Sequence, residues 1–138
     1  MIKTLQEFKT YLKATKKFIA KDIDGTEFEF EIRPVPIFTW DPSGEWFTYI
    51  RPGKEKEFSA RLKQSMERPA PEVLRMVLMK GTVTPKVSEA DGPDSLSIDD
   101  LMSRDILALN VYAEIVTFSF HDFIKAKLES DARPSTGT

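Results

Sequence analysis

The chain has 138 residues, 41% of them hydrophobic and 30% charged, a balance that fits one globular domain and argues against global disorder. Its 20 basic and 22 acidic side chains leave a formal charge of -2, too little positive charge for a dedicated nucleic-acid binder, whose affinity comes from neutralising phosphates. With no cysteine and a single histidine, disulfides, thiol catalysis and histidine-rich metal sites are excluded, and no cofactor is expected.

The first element lies over residues 4–14. Leu5, Phe8 and Leu12 fall at helical spacing with Tyr11 beside them, and Thr4 followed by Glu7 is a capping-box pair. The pattern predicts a short helix whose narrow apolar stripe docks onto something else. Residues 17–23 and 26–32 then read as two arms of a hairpin joined at Asp24-Gly25, a pair that favours a type I′ turn. The second arm alternates, with Phe28, Phe30 and Ile32 on one face and Glu27, Glu29 and Glu31 on the other. An isolated hairpin is marginal in water, so its aromatic face must be covered.

Residues 33–53 interrupt this pattern with Pro34, Pro36, Pro42 and Pro52, yet hold both tryptophans, Trp40 and Trp46. Two readings stay open: a loop pinned by its aromatics, with a strand at Trp46–Ile50, or a surface on which another chain docks, since Trp and Tyr are favoured interface anchors. Helical propensity returns from Lys54 to Met66, with Phe58, Leu62 and Met66 four residues apart. Pro71 suits the first turn of a further helix running to about Lys80, with Gly81 as its C′ residue and Pro85 beyond it. Residues 86–95 predict a polar, mobile loop. Ser97-Ile98-Asp99-Asp100 is an N-cap followed by first-turn acids.

The closing helix, about Ser103 to Leu128, is apolar around most of its circumference. Asn110, Glu114, Thr117, His121 and Lys125 form one narrow polar stripe. Such a helix is either central to its own fold or completed by another copy or partner. Residues 129–138 read as a disordered tail. The fold class is therefore α+β: a single domain over 1–128, with a short first helix, a hairpin at about 17–32, an aromatic and proline-rich loop over 33–53, and a helical part over 54–128 ending in a long helix.

Charge is unevenly spread along the chain, at +5 over residues 1–21, -6 over 22–50, +4 over 51–80 and -5 over 81–138. Alternation of this kind draws segments together within a fold, makes a two-signed surface for self-association, or is a solvated mixed surface. The first residues lack the apolar core of a signal peptide, and no run reaches the roughly 18 apolar residues of a spanning helix. The chain is expected to be cytoplasmic, with no membrane and no nucleic acid as partner.

No phosphate-binding loop, dinucleotide fingerprint, zinc-protease helix or nucleophile elbow occurs. The remaining chemistry-bearing groups have structural readings. His121 reads as a solvated side chain on the polar stripe. Glu27, Glu29 and Glu31 share a strand face, whereas hard cations prefer ligands converging from several elements. Asp99, Asp100 and Asp105 suit helix starts. Lys13, Lys16, Lys17 and Lys21 lack stacking partners beyond Phe18. The expectation is a protein that is not an enzyme, with no catalytic, cofactor or metal residues.

The order of parts carries a family likeness. The hairpin Phe18–Ile32 leads into Arg33-Pro34. The helical middle then leads through Val77-Leu78-Met79-Lys80-Gly81-Thr82-Val83-Thr84-Pro85 to the acidic start Ser97-Ile98-Asp99-Asp100-Leu101 and the long apolar helix. This resembles the tail assembly chaperones of long-tailed (siphovirus- and myovirus-like) bacteriophages and related prophage elements. The likeness covers roughly residues 16–128, and Trp40–Pro52 is longer and more aromatic than that pattern. It implies a non-enzymatic chaperone that coats the apolar, helical tape-measure protein and keeps it in solution until tail-tube subunits polymerise. Broad apolar surfaces with adaptable Met side chains suit that task, and Met66, Met76, Met79 and Met102 lie in or beside the helices. The reading predicts a homo-oligomer formed through part of the 105–128 helix. Phe118, Phe120, Phe123 and Ile124 are its expected contacts, and Met76, Met79, Trp40 and Trp46 complete the candidate partner-binding set. A structural head–tail connector or tail-completion subunit is the alternative.

Overall fold

In the computed structural model, residues 4–36, 39–40, 48–49 and 51–120 are described. The backbone runs α1 (Leu5–Leu12), β1 (Lys16–Lys21), β2 (Glu27–Ile32), α2 (Glu55–Glu67), α3 (Pro71–Gly81), β3 (Thr82–Thr84), β4 (Lys86–Ser88), β5 (Ser95–Ser97), α4 (Ile98–Met102) and α5 (Asp105–Ser119). This is the α+β order that the sequence predicts. It has a short helix and a hairpin, then a mainly helical part closed by the longest helix.

The hairpin pairs Lys16–Lys21 with Glu27–Ile32 antiparallel, Phe18 facing Phe30. Its turn differs from the expected type I′ form, which needs positive φ at both central residues. Among the described residues only Gly25 (φ 85°) and Gly53 (φ 88°) take positive φ, so Asp24 does not supply the first. Instead Gly25 N–H donates to Asp22 O at 3.0 Å and Asp22 N–H donates to Thr26 O at 2.9 Å, a three-residue loop with its last residue left-handed. Asp24 accepts from Thr26 N–H at 2.9 Å, and this bond holds its carboxyl below the usual carboxylate range.

The alternation of β2 then takes effect. Phe30 and Ile32 are buried with Ala20, while Phe28, near the turn, stays exposed. On the opposite face Lys17 lies across from Glu31 and Lys21 across from Glu27. Such cross-strand charges favour this register, though the exposed Lys21–Glu27 pair, at 3.7 Å, adds little energy. β3 joins the far side of β2 antiparallel, with an irregularity at Glu31/Ile32, giving the order β1-β2-β3.

Burial explains the helical part. α2 turns Phe58 and Leu62 inward, and α3, with Pro71 as its first residue, turns Val77, Leu78 and Gly81 inward. Gly81 is the last helical residue and not a left-handed cap. The reason for glycine is proximity, since a Cβ there would lie 2.8 Å from Ile115 Cγ2 and 2.9 Å from Val35 Cγ2. The carbonyls that end α3 are satisfied by Arg33, whose Nε donates to Lys80 O at 2.7 Å and whose backbone N–H donates to Gly81 O at 2.8 Å.

Residues 86–95 are more ordered than a mobile loop. β4 and β5 pair parallel, Val87 beside Leu96, and Ser97 N–H donates to Asp91 Oδ1 at 2.6 Å. Ser97 then caps α4, its Oγ accepting from Asp99 N–H at 3.2 Å. Arg75 spans α3 and α4 through Asp99 at 2.6 Å and reaches Glu89 at 3.7 Å, contacts that raise its pKa further.

α5 is the axis of the molecule. Leu107, Ala108, Val111, Tyr112, Ile115 and Val116 are buried, in contact with α3, α4, α2 and β1. Asn110 and Thr117 face outward on the expected polar stripe, beside a half-buried Glu114. Asn110 donates to Lys21 O at 2.7 Å and Glu114 pairs with Lys16 at 3.2 Å, so the stripe's edge ties the helix to β1. Over its described length this helix is largely covered by the chain's own elements, with Ile106 left 38% exposed. No described helix is long and apolar enough to cross a membrane. The expected helix end at 120–128 and the tail at 129–138 fall outside the described residues beyond Phe120.

Candidate partner-binding surface

Three of the eight expected contact residues, Trp46, Phe123 and Ile124, lie outside the described residues, as does His121. The other five do not form one surface. Trp40 is only 6% exposed and packs against Phe120 at 5.2 Å between ring centres, and Phe120 in turn meets Phe58 edge-on at 5.6 Å. Trp40 Nε1 donates to Tyr112 Oη at 2.9 Å, and Tyr112 Oη shares a 2.8 Å bond with Ser65 Oγ. A tryptophan so enclosed and so bonded is core, which corrects its assignment as a docking anchor. Phe120 is half-buried, with one side of its ring against Trp40 and Phe58.

Met79 is half-buried against the core, while Met76 is 40% exposed on α3. Phe118 packs partly against the core and also lines a surface groove. Thr48 and Tyr49 sit in a 3-10 turn, not in the strand expected at 46–50. The Tyr49 ring lies 4.9 Å from the Arg61 guanidinium and its hydroxyl accepts from Arg61 at 3.0 Å.

The carboxylates also have structural partners. Glu31 accepts from Thr15 at 2.9 Å and from Thr84 at 3.3 Å, and Glu27 pairs with Lys21. Two of the three carboxylates on the shared face, Glu27 and Glu31, are therefore engaged with neighbouring side chains. Among the described residues no group of three acidic or imidazole side chains converges as metal ligands would. Asp100 lies beside Asp91, and the hydrogen bond between the two carboxyls, followed by their repulsion, raises its pKa.

What the sequence underweighted is α1. Its capping box forms, with Glu7 N–H donating to Thr4 Oγ1 at 3.1 Å and Thr4 N–H donating to Glu7 Oε1 at 3.4 Å. Yet the helix buries none of its residues. Leu5 is 69%, Phe8 50%, Tyr11 66% and Leu12 63% exposed, a contiguous apolar stripe on a well-started helix. At its C-terminal end Tyr11, Leu12 and Ala14 face Pro34, Val35, Pro36, Phe118 and Ser119 across a groove of about 470 Å³, with Arg33 on the wall. Val35 N–H donates to Ser119 Oγ at 2.9 Å, so the far wall is fixed to the end of α5. The stripe itself was legible in the sequence. That no described residue covers it was not, because exposure depends on how distant elements pack.

Comparisons with models of known protein families, with curated proteins and with solved structures find no match for this chain.

Proposed function

We propose that the chain is a non-enzymatic tail assembly chaperone of the long-tailed phage type, holding an apolar, helical tape-measure protein in solution until tail-tube protein assembles around it. The order of elements supports the reading. One observation carries it: an apolar stripe of Leu5, Phe8, Tyr11 and Leu12 stands exposed on a capped helix beside an apolar groove. The largest exposed apolar patch of a monomeric protein is often its interaction site. The exposed stripe puts α1 first as the client-binding element, with Phe118 and Ser119 at the end of α5 lining the groove beside it.

Coexpression tests it. With a long, apolar, helical client that aggregates alone, the wild-type chain keeps the client in the soluble fraction, and Leu5→Ser/Phe8→Ser does not. A client equally soluble with both chains overturns the reading. Finding the chain as a stoichiometric part of finished particles favours the connector instead.

A further inference from the structure

We propose that α1 and the groove at its C-terminal end form a docking site for a partner helix that is apolar on one face and acidic along one flank. The inference rests on the chaperone reading in taking the occupant to be a helical client. At 100° per residue, Tyr11, Phe8, Leu12 and Leu5 span an arc of about 120°, and Lys9 and Lys13 follow directly on one side. Neither lysine holds an ion pair among the described residues. Arg33 adds a separate cation on the wall of the groove. The opposite side is closed by Glu7, already engaged in the cap.

An apolar strip with cations along one edge is complementary to a helix with the same strip and carboxylates along the matching edge. Shape separates this occupant from an anionic lipid surface. The groove is concave, walled by Pro34, Pro36 and Phe118, and admits a projecting side chain where a flat bilayer cannot enter. Length agrees too, since eight residues of α1 present about 12 Å of stripe, two turns of a partner helix.

The test titrates full-length protein, followed by amide chemical shifts, with a synthetic helical peptide bearing a Leu face and a Glu flank. Its twin carries Lys in place of Glu. Shifts confined to α1, residues 33–36 and residues 118–119, with the Glu peptide bound about tenfold tighter than the Lys peptide, support the proposal. Lys9→Glu/Lys13→Glu should reverse that preference while leaving the thermal midpoint in place, because both side chains are exposed. Equal affinity for the two peptides, shifts elsewhere, or no binding at millimolar peptide overturns it. It is equally overturned if the peptide binds only after residues 121–138 are removed, if Leu5→Ser abolishes a self-association seen by sedimentation, or if anionic vesicles bind with the same lysine dependence. The two readings fail separately. A client kept soluble by Lys9→Glu/Lys13→Glu as well as by wild type removes this site and leaves the chaperone. Peptide binding as described, with no client solubilised, does the reverse.

Discussion

Tyr112→Phe tests how the described part of the 33–53 segment is held to the body. The phenol is fully buried, and its oxygen joins three segments, accepting from Trp40 Nε1 at 2.9 Å and sharing a 2.8 Å bond with Ser65 on α2. Phenylalanine keeps the ring packing and opens almost no cavity. What it removes is the acceptor for the buried indole N–H, which costs about 1–3 kcal/mol, and a second bond worth about 0.5–1.5 kcal/mol. Against these stands the desolvation that the hydroxyl no longer suffers. The net expectation is a loss of about 2 kcal/mol, or a fall of roughly 6–10 °C in Tm for a domain of this size. Chemical denaturation with a double-mutant cycle against Trp40→Phe isolates the indole bond, and Ser65→Ala should cost about 1 kcal/mol or less. There is also a signature in pH. Burial pushes the Tyr112 phenol above the usual tyrosine range, and its bonds to Ser65 and Trp40 pull it only part of the way back. A folded pKa above the unfolded one gives stability that is complete below about pH 10 and lost as pH rises through the folded value. Wild type should therefore lose more stability than Tyr112→Phe above pH 10. A variant as stable as wild type, with an unchanged alkaline slope, would refute the three-way anchor.

Gly81→Ala should destabilise by about 1–2 kcal/mol, overpacking against Ile115 and Val35 exceeding the small gain in helix propensity, and Ile115→Ala should be less harmful in that background than alone. Urea unfolding of the four chains checks it, and an unchanged midpoint for Gly81→Ala removes the packing argument. Phe8→Ser/Leu12→Ser should leave the thermal midpoint within about 2 °C, since both side chains are at least half exposed, while weakening client binding. Asp100→Asn should raise stability at neutral pH by relieving repulsion from Asp91. A raised folded carboxyl pKa means stability is present below about pH 4 and lost above it, so the advantage of Asn should vanish on acidification.

Local periodicity made most of the fold legible. The alternation of Phe28 to Ile32, the Thr4/Glu7 cap and the four-residue spacing of Phe58, Leu62 and Met66 each state a face and a period. What escaped was set by contacts distant in sequence. β3 is a strand because Glu31 and Ile32 offer it an edge, and β4 and β5 pair although 86–95 reads as polar loop. Gly81 looked like a cap because a glycine after a helix usually is one, and only the approach of Ile115 reveals its other reason. The candidate surface suffered in the same way. Composition shows how apolar α5 is, but the division of that surface between core and partner depends on α2, α3, α4 and β1 closing over it.

Position along the chain gives α5 a last consequence. It follows every other described element, so on the ribosome Phe30, Ile32, Val77 and Leu78 emerge before the helix that will cover them has been made. The hairpin and middle helices must wait, greasy side outward, until about residue 120 has left the exit tunnel. Translation that stalls near residue 100 would release chains with every local element and nothing to gather them, and such chains should be prime substrates for the cell's proteases.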